Sequence, residues 1–187
     1  MDAKNAMSPS SSDNLLSISI LGRAKADIPL ELFKAIRERG GEVEDCRIAP
    51  IGDLLTANMV VSGNWSTLGR LETALPGVAE RLALQVRFER CGPRESLPDF
   101  RPYAVDVIAP QQPDLLVHLL EFFRSQGVQT PEISSQKYAS THTGASMCSV
   151  QMVCHVPVSQ HPQALREAFM DLCDDLNADG MMDPIKT

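Results

Sequence analysis

The chain has 187 residues, 43% hydrophobic and 22% charged, with 24 acidic against 17 basic side chains and a formal charge of −7. This is the make-up of a folded globular chain of one or two domains. With lysine and arginine scattered rather than clustered, it lacks the basic footprint by which a protein grips nucleic acid phosphates on its own. No apolar run approaches the roughly 20 residues of a membrane-spanning helix, and residues 1–10 hold no apolar signal core. The five cysteines, Cys46, Cys91, Cys148, Cys154 and Cys173, have neither paired nor zinc-type spacing. The expectation is a cytoplasmic protein with reduced thiols, no cofactor, no metal, no direct nucleic acid contact and no membrane association.

Residues 1–13 are rich in serine and poor in apolar groups, and read as a disordered lead. Leu16, Ile18 and Ile20 then alternate with Ser17 and Ser19, the period of a half-buried strand. Ile28, Leu32, Ala35 and Ile36 fall on one helical face, with Asp27 as N-cap and Gly40 as stop. Apolar segments at 43–51 and 56–61 flank Gly52-Asp53, the turn of a hairpin. A second helix is expected after a Ser66 cap, carrying Leu68, Leu71 and Leu75 and bending or breaking at Pro76-Gly77. Trp65, the single tryptophan, would precede that cap and pack as a hydrophobic staple. Leu82, Leu84, Val86 and Phe88 alternate with polar residues as a closing strand.

The order βαββαβ recurs after a Pro- and Gly-containing linker at 91–99. Tyr103, Val105 and Val107 alternate; Leu116, Leu119, Leu120 and Phe123 form a helical face ending at Gly127; Cys148, Val150, Met152, Cys154 and Val156 alternate again. Pro162, after His161 as cap, opens a helix bearing Leu165, Phe169, Leu172 and Leu176. Gly40 and Gly127 are 87 apart, whereas Leu68 and Leu165, like Leu75 and Leu172, are 97 apart. The second copy therefore carries about ten more residues, which the spacing assigns to the segment 140–146 of its central hairpin. The predicted fold is α+β: two tandem ferredoxin-like βαββαβ units, each an antiparallel sheet with helices on one face. The boundaries are 1–13 for the lead, 14–91 for the first unit, 92–100 for a linker and 101–187 for the second. Exposed sheet edges invite pairing within the chain or across a homodimer.

Gly41-Glu-Val-Glu-Asp-Cys-Arg-Ile-Ala-Pro-Ile-Gly52, followed by Met59-Val-Val-Ser-Gly-Asn-Trp65, resembles the first ACT domain of the glycine cleavage system transcriptional repressor family. Leu172-Cys-Asp-Asp-Leu-Asn-Ala-Asp-Gly180 is similar to the close of that family's second domain, so the resemblance runs from Leu15 to the C-terminus. It implies a non-enzymatic tandem ACT regulator that senses glycine and binds a LysR-type activator rather than DNA. ACT domains commonly bind amino acids at the first turn and at domain interfaces. The resemblance thus implies ligand residues Gly22, Arg23, Ala26, Asp27, Ile28, Glu42 and Val43 in unit one, and Gln112, Pro113, Asp114 and Leu115 in unit two. Glu44, Asp45 and Arg47 are its implied partner contacts. Where the family pattern reads approximately Asp-Arg-Pro-Gly-Ile, this chain has Ala24, Lys25, Ala26, Asp27 and Ile28. As an N-cap, Asp27 would occupy helix N–H groups, worth about 0.5–2 kcal/mol. It would also repel an α-carboxylate by roughly 1 kcal/mol at 4 Å in a water-like dielectric. A weakened amino-acid site is one reading; Asp27 receiving a ligand's ammonium group is the other.

The remaining candidates favour structure over chemistry. Asp175-Leu-Asn-Ala-Asp-Gly180 matches the first half of a calcium loop, but Lys186 stands where a bidentate Glu belongs, so a helix end with a Gly180 C-cap is expected. His142, His155 and His161 read as surface imidazoles and Cys148 and Cys154 as core thiols, with Cys154 and His155 on opposite faces of a strand. Cys46, beside Asp45 and Arg47, is expected to be a small buried residue, with an activated thiol as the alternative. Two other function classes remain beside transcriptional regulation: an amino-acid-sensing ACT module acting on a different protein or enzyme, and an enzyme using Cys46 or Cys148.

Overall fold

The structure is a computed structural model and describes residues 14–141 and 143–186; the expected lead at 1–13 and His142 lie outside it. The chain divides into two compact units, Met1–Glu95 and Ser96–Thr187. In the first, β1 (Leu15–Arg23), α1 (Ile28–Glu38), β2 (Glu42–Ile51), β3 (Leu54–Ser62), α2 (Trp65–Leu82) and β4 (Leu84–Cys91) follow one another. The second repeats the order with β5 (Phe100–Pro110), α3 (Leu115–Ser125), β6 (Gln129–Ala139), β7 (Ser146–Pro157), α4 (Pro162–Asp175) and β8 (Asp179–Pro184). Each unit holds a four-stranded antiparallel sheet, β2-β3-β1-β4 and β6-β7-β5-β8, which leaves the second strand of each copy on an edge. Both copies therefore have the predicted α+β ferredoxin-like βαββαβ arrangement.

The alternation dictates the packing. Leu16, Ile18 and Ile20 of β1 point to the helices and pack with Ala57, Met59 and Val61 of β3, Ile28, Leu32 and Ile36 of α1, and Leu68, Leu71 and Leu75 of α2. Val105, Val107, Val150, Met152, Cys154, Leu119, Phe123, Leu165 and Phe169 build the matching core of unit two. Its centre is aromatic, with the Phe123 and Phe169 rings stacked 5.7 Å apart.

The ends of α1, α3 and α4 share one device. Past α1, Gly40 takes φ 80 and its N–H donates to Arg37 O while Gly41 N–H donates to Ile36 O, closing the last carbonyls in a Schellman motif. Gly127 (φ 69) does the same for α3, and Asn177 (φ 50), not Gly180, does it for α4. Gly180 instead lies in β8, where a Cβ would meet the Phe169 ring at 2.9 Å; its smallness serves close packing.

Several local expectations are corrected. Asn64, not Ser66, caps α2, its side chain accepting from Thr67 N–H at 2.8 Å, so Trp65 is the first helical residue and stands 71% exposed instead of stapling the helix. The helix also runs through Pro76-Gly77 to Leu82, because Leu75, Val78 and Ala79 are buried in sequence and hold the turn despite the missing N–H. Leu82 ends that helix rather than opening a strand. Asp27 occupies the N-cap position of α1 without a side-chain cap hydrogen bond, since its φ of −86 and ψ of −15 are helical rather than extended. Cys46 is exposed, on an edge strand whose core-facing residues are Val43 and Ile48. The extra residues of unit two are spread over longer strands β6 and β7, the turn at 140–145 and the connection at 158–161, rather than confined to 140–146.

Candidate functional site

The first turn follows β1 and is clasped by the β2–β3 turn. Ala24 N–H donates to Asp53 O at 3.2 Å, and the Arg23 guanidinium forms an ion pair with the Asp53 carboxylate, both side chains largely exposed. Gly52 makes that approach by taking φ 62. Gly22 has a packing reason of its own: a Cβ there would lie 3.1 Å from Ala83 O and 3.3 Å from Leu84 Cα, besides colliding with the Leu84 side chain. Ala26 and Asp27 are exposed and Ile28 is fully buried as the anchor of α1. The Asp27 carbonyl accepts from Glu31 N–H at 3.0 Å, while Ile28 N–H donates to Lys25 O at 3.3 Å.

Glu42 and Val43 are not brought to this turn within unit one. Glu42 pairs with Ser62, whose β1 partner is Leu15, whereas Arg23 pairs with Leu54 at the other end of the same ladder. Val43 packs half-buried against the core. Glu44 sits at a bulge between Val43 and Asp45 and accepts a hydrogen bond from the Ser62 hydroxyl. Asp45 and Arg47, two apart on one face, are paired to each other, with Arg47 Nη1 at 2.8 and 2.7 Å from the two carboxylate oxygens.

In unit two the equivalent turn is tied into the fold. Gln112 Nε2 donates to the Leu176 carbonyl at the end of α4 at 3.1 Å, and Gln111 N–H donates to Ser146 O at 2.9 Å. Pro113 and Asp114 are exposed, Asp114 makes no side-chain cap, and Leu115 is buried.

One cluster escaped the sequence reading. Arg90 of β4 grips Glu72 of α2 through Nε–Oε1 at 2.6 Å and Nη2–Oε2 at 3.0 Å, and its guanidinium lies 4.6 Å from the centroid of the Trp65 ring. The Arg90 hydrogen bond holds the Glu72 carboxyl below the usual carboxylate range, and Glu72 in turn raises Arg90. Eighteen residues separate the two charges, so only the α2–β4 packing reveals them. The buried thiols behave oppositely to activated ones: burial pushes Cys154 up to about 12, and burial with the nearby Asp174 and Asp179 carboxylates pushes Cys173 to about 11. Among the described residues no group of three or more His, Cys, Asp and Glu is placed to hold a metal, and no helix is long and apolar enough to cross a membrane.

Residues 14–89 match the model of the ACT domain. Over 175 residues, 94% of this chain and 92% of the relative, the sequence is 26% identical to the glycine cleavage system transcriptional repressor of Escherichia coli (strain K12). The fold is that of a crystal structure assigned as a glycine cleavage system transcriptional repressor, at TM-score 0.67 and 23% identity over 94% of this chain and 99% of that one. It is also that of an unknown protein from Galdieria sulphuraria, at TM-score 0.71 and 18% identity over 93% of this chain and 99% of that one.

Proposed function

We propose that this tandem ACT-domain protein is a non-enzymatic regulator of glycine cleavage gene expression that works by binding a LysR-type activator, with glycine or another small amino acid as modulator. The observation that carries the reading is likeness to a named transcriptional repressor over nearly the whole of both chains, through both units and not one borrowed module. The site chemistry fits it. Two of the three buried thiols, Cys154 and Cys173, are pushed up by burial, away from thiolate chemistry, and Cys154 points away from the face that bears His155.

Geometry favours the turn of unit one as the amino-acid site. The Asp27 carboxylate is not engaged in capping α1 and so can receive an ammonium group, and Arg23 at the same turn, ion-paired to the exposed Asp53, would take a ligand carboxylate by exchanging that partner. The unit-two turn has its glutamines committed to Leu176 and Ser146. The test is co-elution of the full chain with a LysR-type activator on size exclusion, with and without glycine, beside calorimetric titration of the natural chain and of Asp27→Gly. Co-elution that shifts with glycine is expected; failure to associate under either condition would move the function to another protein target.

A further inference from the structure

The last turn of α2 is built unlike the other described helix ends. Pro76 sits inside the helix and offers no N–H to the carbonyl one turn earlier, and Gly77 follows it. A Cβ on Gly77 would meet nothing within 4 Å, so packing does not demand a glycine there. The helix then leaves through Ala83 at φ 56, a left-handed conformation that an L-alanine disfavours, where α1 and α3 use glycine and α4 uses asparagine. By the offset of 97, the end of α4 at Asp175 corresponds to Val78, so residues 79–82 form an added turn with no counterpart in unit two. Upstream, Leu68, Leu71 and Leu75 are fully buried; beyond Pro76-Gly77 the anchors are the smaller Val78 and Ala79, with Leu82 only partly buried.

This turn touches both flanks of the segment 24–27. The Ala83 carbonyl and Leu84 press on Gly22 at the end of β1, within 3.1 and 3.3 Å of where a Cβ would stand, and Arg81 reaches Glu31 in the first turn of α1 at 3.9 Å. We infer that residues 76–83 open locally as a unit, and that this opening loosens the β1–α1 turn, making the end of α2 a conformational relay for that turn. Two breakers, a disfavoured terminal φ and apolar anchors smaller than the leucines upstream set it at the low-stability end of unit one, and the contacts with Gly22 and Glu31 give the coupling its path.

Hydrogen exchange of the full chain followed by NMR tests this. Amides of residues 78–83 should exchange at least tenfold faster than those of residues 68–75 and of the end of α4. Gly77→Ala, which the open space accommodates, should slow exchange at 78–83 by about 2- to 5-fold, and should slow in step the amides at the two ends of the β1–α1 turn, Ala24, bonded to Asp53 O, and Ile28, bonded to Lys25 O. Gly22→Ala should do the reverse at both places. Protection at 78–83 equal to that at 68–75, or a Gly77→Ala effect that leaves Ala24 and Ile28 unchanged, overturns the inference. Should Gly22→Ala unfold unit one altogether, Gly77→Ala decides it alone.

Discussion

At the scale of single residues, burial and pairing decide what each reactive group does. Cys46 sits exposed on an edge strand, whereas Cys148, Cys154 and Cys173 are buried. A maleimide pulse on the native chain should therefore modify Cys46 first and leave those three untouched until denaturant is added, as mass spectrometry of peptides would show. Glu72 gives a pH signature. Its carboxyl is held below its ordinary value by the Arg90 hydrogen bond, so its stabilising contribution is complete above the unfolded carboxylate value of about 4.3 and fades as pH falls through the lower folded value. Glu72→Gln should accordingly lower the urea midpoint of unit one at pH 7, and the difference from the natural chain should shrink toward zero as the pH is taken below that range. A gap that stayed constant with pH would assign the loss to packing against Trp65 instead. Neither Cys46 exposure nor the Glu72–Arg90 pair was legible in sequence, because both depend on which strand is an edge and which helix lies over it.

At the scale of elements, periodicity was the better guide than punctuation, though it put Leu82 on a strand and overlooked Cys173 on the buried face of α4. Ile28, Leu32, Ala35 and Ile36 were expected on one helical face and are the buried residues of α1, since a 3.6-residue period admits one inward stripe. Caps are chosen among neighbours by backbone angle, which the sequence does not display. Asn64 and Ser66 are both good caps, and Asn64 wins because its ψ of 166 is extended and its side chain reaches Thr67 N–H. Asn64→Ala should cost about 0.5–2 kcal/mol in unit-one stability, measured by denaturant unfolding, while Ser66→Ala should change it little. Pro76-Gly77 was expected to bend or break α2, yet tertiary burial of Leu75 and Val78 carried the helix through it.

For the whole molecule, two separate cores and a charge of −7 frame what the protein can do. With a net charge of −7 and lysine and arginine scattered along the sequence, the chain alone should not retard a promoter fragment at physiological salt; a shift should need an added activator, and a salt-sensitive shift by the chain alone would contradict regulation through protein binding. The repeat, the α+β class and the helix and strand faces were determined by the sequence itself, because duplicated apolar spacing and period-2 or period-3.6 patterning are properties of the chain before it folds. The tertiary structure alone decided which residues meet across that pattern. It clasped the first turn with Arg23 and Asp53, parted Glu42 and Val43 from it, tied Gln112 to Leu176, and set Trp65 over Arg90. These are contacts between residues distant along the chain, and their geometry exists only once the sheet has fixed register and the helices have settled on its face.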